Sequence, residues 1–137
     1  MSFPLSEPEA PRGGLPSPNP AEPAVLDERM QELANIVPDG EQKALFQELL
    51  TMYREESLPR LRLLAAAWSA GDIVKAKSEA HFLAGSSANL GLRRLADWLR
   101  ALEVVARQAP LPPADGLLPK LEAQWLEACA AFEVYAR

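Results

Sequence analysis

From residue 24 onward, apolar residues recur at steps of three and four, the spacing of helices that bury one face. The first such run is short: Leu26, Met30, Leu33 and Ile36 share one side of a helix over residues 25–36. Val37-Pro38-Asp39-Gly40 reads as a turn, with Asp39 placed to cap the next helix and Gln42 to complete a capping box. A long stripe follows, comprising Leu45, Phe46, Leu49, Tyr53, Leu61, Leu64, Ala65 and Trp68. Pro59 falls inside it and is expected to kink that helix or split it in two. Gly71 ends the stripe as a C′ residue. A third helix over 73–90 turns Ile73, Ala76, Ala80, Leu83, Ser87 and Leu90 inward, and Gly91 closes it. A fourth over 92–108 buries Leu95, Leu99, Leu102 and Ala106. After a proline-rich loop at 109–113, the last helix, over 114–135, points Leu118, Leu121, Trp125, Ala128, Cys129 and Phe132 inward. Four long amphipathic helices with short connections predict an all-α fold: an antiparallel four-helix bundle preceded by a short N-terminal helix.

Composition separates the beginning of the chain from the rest. Residues 1–23 hold seven of the thirteen prolines together with Gly13 and Gly14. Such a stretch buries too little apolar surface to offset the entropy of ordering, so it is expected to be a proline-rich flexible arm, with Phe3 and Leu5 as its docking residues. The domain division is therefore arm over 1–23 and helical bundle over 24–137. A formal net charge of −5 argues against a nucleic-acid-binding protein. The single cysteine, Cys129, excludes a disulfide framework and a cysteine-based metal site, and reads as a small core residue. No apolar run approaches the ~20 residues that span a bilayer, and the N-terminus lacks a signal-peptide layout. A soluble, cytoplasmic protein is expected.

The candidate chemistry centres on His81, the only histidine. It lies about 100° around the helix from Ala80, on a separate stripe of polar or small residues: Lys77, His81, Ala84 or Gly85, and Ala88. Gly85 sits in mid-helix, where glycine costs about 1 kcal/mol relative to alanine. Ser86, Ser87 and Ala88 continue the small patch, so the helix gives up stability beside its histidine, as a docking surface would require. On the fourth helix Ala96, Arg100, Glu103 and Arg107 form a second stripe, which a tight hairpin at Gly91 sets beside the His81 face.

The run His81-Phe82-Leu83-Ala84-Gly85-Ser86-Ser87, followed by Leu90-Gly91-Leu92, resembles the active helix of histidine-containing phosphotransfer (HPt) domains. That family carries His-x-Leu-Lys-Gly-Ser-(Ser/Ala) and then Leu-Gly. The resemblance is strongest over residues 79–103 and closest to stand-alone phosphorelay proteins of the fungal and plant type. It implies that His81 is the phospho-accepting residue and that Glu103 orients its imidazole. It implies a phosphorelay intermediate in two-component signalling, taking a phosphoryl group from the aspartate of one receiver domain and passing it to another. The partners implied are response-regulator receiver domains and a hybrid sensor histidine kinase, engaged by a monomer. Gly85, Ser86, Ala84 and Ala88 would form the docking face. The protein would be a carrier, not an enzyme with its own ATP site, and would need no cofactor; Mg²⁺ would come from the receiver. No glycine-rich nucleotide loop is present. Ala84 departs from the family, which has lysine there, and Lys77 and Arg100 are the cations positioned to replace it. Residues 72–108 hold six basic and four acidic residues, a locally basic stretch in an acidic chain and suited to steering toward an acidic partner.

The missing lysine supports a second reading, an HPt-like scaffold that binds a receiver domain without transferring phosphate. A third is a structural helical domain in which His81 is incidental. A metal enzyme is excluded by the lone histidine without clustered carboxylates.

Overall fold

The structure, a computed structural model, describes residues 14–108 and 110–137. These form α1 (Asp27–Ala34), α2 (Gln42–Ser69), α3 (Ile73–Asn89), α4 (Arg93–Ala106) and α5 (Leu117–Glu133), with a final 3-10 turn at Val134–Ala136. No strand occurs among the described residues. α3 packs between α2 and α4, and α5 packs on α2 and α4 to close a four-helix bundle. The order and the short reversals match the expected antiparallel arrangement, with α1 set against one end.

The two reversals that place α3 are built alike. Gly71 and Gly91 both take φ of +73°, a left-handed conformation natural to glycine. At the first, the Gly71 N–H donates to the Trp68 carbonyl and the Asp72 N–H to that of Ala67. At the second, the Gly91 N–H donates to Ala88 and the Leu92 N–H to Ser87. Each pair of bonds is a Schellman motif, satisfying carbonyls that the helix end would leave open. Asp72 also caps α3, accepting the Lys75 N–H at 3.1 Å. α1 docks on the second reversal, where the Leu26 N–H donates to the Gly91 carbonyl at 2.8 Å and Arg29 Nε to that of Asn89 at 2.8 Å.

Two local expectations change and a third is narrowed. Of the kink or split expected at Pro59, the split does not occur: α2 runs unbroken for 28 residues. The carbonyl that loses its donor there belongs to Glu55, an exposed residue that water can solvate. Asp39 is not the cap; α2 begins after Glu41 with no side-chain cap, and Gln42 Oε1 instead accepts the Gly40 N–H at 3.0 Å. Ile36 is 69% exposed, because α1 ends at Ala34 and the chain leaves the helical phase that would have buried it.

The inward stripes of α2 to α5 meet in one core that includes Leu61, Leu64, Leu83, Leu99, Leu102, Leu121 and Phe132. A buried polar chain crosses it. Tyr53 Oη and Ser87 Oγ lie 2.8 Å apart, Ser57 Oγ donates to the Tyr53 carbonyl, and Trp125 Nε1 donates to Ser57 Oγ at 2.7 Å. α2, α3 and α5 are thereby tied together with their buried polar groups satisfied. Burial pushes the Tyr53 hydroxyl well above its ordinary pKa and raises the Cys129 thiol to about 11, so both stay neutral in the core.

Of the proline-rich segment, residues 1–13, with Phe3 and Leu5, lie outside the described residues. Residues 14–23 are pinned along α4, which corrects the expectation of flexibility for that part. Trp98 Nε1 donates to the Pro16 carbonyl at 2.7 Å, and Arg94 donates to the Glu22 carbonyl through Nε at 3.0 Å and Nη2 at 2.7 Å. The physical reason is that a buried indole needs an acceptor, and a segment without secondary structure has carbonyls to offer.

The two glycine turns give a graded test. A Cβ on Gly71 meets nothing within 4 Å, whereas one on Gly91 lies 2.8 Å from Arg29 Cβ. Gly71→Ala is expected to lose about 1 kcal/mol of stability from backbone strain alone. Gly91→Ala should lose clearly more in the same urea titration, because α1 must also move.

Candidate functional site

Helical spacing and the Gly91 reversal assemble the site. His81 leaves the outer face of α3, with its side chain 77% exposed. Glu103 leaves α4 toward α3 and is nearly covered, its side chain 11% exposed. The two meet at 3.0 Å between His81 Nδ1 and Glu103 Oε2. A carboxylate can only accept, so in the neutral ring the proton sits on Nδ1 and the lone pair on Nε2. Nε2 has no partner among the described residues. The exposed ring therefore presents its unprotonated nitrogen outward, the arrangement of an oriented nucleophile.

The same Glu103 oxygen accepts a second donor, Arg107 Nη2, at 3.1 Å. Arg107 was on the flanking stripe in the sequence, but nothing there singled it out from Arg100. The structure separates the two. Arg100 Nη1 is held by Asp97 Oδ1 at 3.0 Å, and no bond joins it to His81. Lys77 is exposed one turn before His81 and forms no ion pair among the described residues.

The small residues beyond His81 divide in two. Gly85 is exposed and Ser86 and Ala88 are half-buried, so these three form surface. Ser86 Oγ bonds back to the Leu83 carbonyl at 3.3 Å. Ala84 does not join them: at 3% exposure it belongs to the core, which corrects its assignment to a docking face. Its Cβ falls on the side of α3 turned toward the bundle, one step round from His81.

On the α2 side the sequence reading missed Arg60. Its guanidinium lies 3.8 Å over the Phe82 ring, and its Nη1 meets Glu79 Oε1 at 3.0 Å. Glu79 is otherwise buried, so this ion pair supplies its counter-charge. No periodicity could have linked residues on different helices in this way.

The expected basic face is largely neutralised. Arg93 bonds Glu22 and Asp97, Arg94 bonds Glu127, Arg100 bonds Asp97 and Arg107 bonds Glu103. Of the six cations counted in this stretch, Lys75 and Lys77 are those without an ion pair among the described residues. Among the described residues no group of three or more His, Cys, Asp or Glu side chains is placed to hold a metal ion, and no helix is long and apolar enough to cross a membrane.

A Cβ built on Gly85 would meet nothing within 4 Å. The fold itself therefore has no use for glycine there. Gly85→Ala is expected to raise stability by about 0.5–1 kcal/mol in urea unfolding, the ordinary gain for alanine in a helix interior.

Comparison with known proteins bears on the family and the fold. Residues 48–133 match the model of the Hpt domain family. Among solved structures, histidine-containing phosphotransfer protein B (HptB) from Pseudomonas aeruginosa PAO1 superposes with a TM-score of 0.66 at 28% sequence identity. That match covers 85% of this chain and 96% of HptB. A search of curated proteins gave no match. The solved relative is bacterial, and neither comparison supports the expected affinity to fungal and plant proteins. With its all-helical bundle, and with a family match over more than half its length, the chain belongs to the Hpt domain family.

Proposed function

We propose that the protein is a phosphorelay intermediate of two-component signalling, carrying a phosphoryl group on His81. The observation that supports this most directly is the exposed imidazole whose Nδ1 is committed to Glu103, leaving Nε2 as the free nucleophile. In the proposed step, the Nε2 lone pair attacks the phosphorus of an aspartyl phosphate on a receiver domain. The N–P bond forms as the P–O bond to aspartate breaks, and the carboxylate leaves with the electron pair. The Nδ1 proton stays on the ring, where Glu103 balances the positive charge that develops. Transfer onward to a second receiver is the reverse of this step.

Such transfers depend on in-line placement and charge neutralisation. The receiver domain would bring the Mg²⁺ and the acidic pocket; the chain itself would need no cofactor and no nucleotide site. A receiver would approach over Gly85, Ser86 and Ala88, where the space beside Gly85 is open among the described residues. Lys77 is the cation we assign to the phosphoryl oxygens. Arg100 would serve only by leaving Asp97, and so contributes less. The protein would act as a cytoplasmic monomer between a hybrid sensor kinase and a response regulator, without binding nucleic acid.

The buried methyl of Ala84, where the family carries lysine, supports the alternative of a receiver-binding scaffold that does not transfer. One experiment separates the two. Incubation with a phosphorylated receiver domain should place an acid-labile, base-stable label on the wild type and none on His81→Gln. Binding of the receiver without label on either protein would establish the scaffold instead. Within a labelling protein, Lys77→Ala should slow transfer about tenfold while leaving receiver binding within a few-fold.

A further inference from the structure

We propose that Arg107 is a positioning residue for His81, acting through Glu103. Both donors converge on one oxygen: His81 Nδ1 at 3.0 Å and Arg107 Nη2 at 3.1 Å from Glu103 Oε2. Glu103 is nearly withdrawn from water, and a carboxylate in that setting needs a counter-charge. A neutral imidazole cannot supply one. Arg107 can, and it sits one turn beyond Glu103, at the C-cap of α4, where its i,i+4 contact bears on the carboxylate.

The other charged groups around the ring do not substitute for it. On α3, Lys77 makes no bond to Glu103. On α4, Arg100 is held by Asp97. Arg60 on α2 is paired with Glu79 on α3. Arg107 is thus the group that holds the Glu103 oxygen against Nδ1. This matters because a carboxylate free to turn away would leave Nδ1 without an acceptor, and the neutral ring could then place its proton on Nε2, the nitrogen that must attack. Arg107 touches neither the ring nor any phosphoryl group in this arrangement; it determines which ring nitrogen carries the proton.

Its consequence for transfer rests on His81 being the phosphoryl acceptor, but its consequence for the ring does not. Because His81 is the only histidine, the ¹⁵N resonances of the ring report on this site alone. In full-length unphosphorylated protein with the ring neutral, the wild type should show the Nδ1–H tautomer. Arg107→Met, which keeps the stem but has no donor, should shift the ring toward the Nε2–H form. Arg107→Lys should restore the wild-type pattern. Labelling by a phosphorylated receiver should slow on the order of tenfold in Arg107→Met and recover in Arg107→Lys. Arg107 is exposed, so the helical circular dichroism of both variants should match the wild type. An unchanged tautomer in Arg107→Met overturns the proposal. A changed tautomer in a protein that takes no label leaves the positioning role standing and removes the phosphoryl carrier reading.

Discussion

The register between α3 and α4 is the constraint on which the site depends, and the Leu90–Leu92 reversal sets it. His81 lies ten residues before Gly91 and Glu103 twelve after. At 1.5 Å per residue both stand about 15–18 Å from the turn, so an antiparallel pair brings them level. A looser connection would let the helices slide, and a shift of one residue would rotate Glu103 away from the ring. The Schellman bonds, the left-handed glycine and the docking of α1 onto the turn all act to prevent that slide. A turn with no ionisable side chain of its own therefore governs where the imidazole and the carboxylate meet.

Much of this was legible in the chain because helices report themselves through spacing. The buried stripes of α3, α4 and α5 follow most of the sequence pattern, including Ser87, whose hydroxyl meets Tyr53 in the core, but Ile73 is only half-buried and on α5 Leu117 is buried where Leu118 was expected. Glu103 was singled out by the resemblance to the family, and its place on the stripe flanking His81 agreed with that choice. What escaped were choices among similar side chains. Arg100 and Arg107 share a stripe, and only side-chain packing assigns one to Asp97 and the other to Glu103. Arg60 reaches its partners across helices, a relation that no local pattern encodes. Ala84 fell on the boundary between buried and exposed faces, where a wheel cannot decide.

The electrostatics of the surface follow the same logic. Counting charges along α3 and α4 suggested a basic face, yet most of those arginines are spent on neighbouring carboxylates. Paired charges at the surface contribute little to long-range attraction and are further weakened by salt. What remains on the His81 helix is a small patch with two lysines, Lys75 and Lys77, that form no ion pair among the described residues. Shape, more than field, would govern encounter with a partner.

Besides the Glu22 carboxylate on Arg93, the strap formed by residues 14–23 is held by main-chain oxygens: those of Pro16 and Glu22 receive the Trp98 indole and the Arg94 guanidinium. Every amino acid carries such an oxygen. The strap can therefore exchange most of its side chains over evolutionary time and stay attached, while Trp98 and Arg94 are the partners that cannot drift. Relatives should keep the two anchors on α4 and vary freely in the segment they grip, which hides a structural element from any comparison based on matching letters. The family match, starting at residue 48, begins well after it.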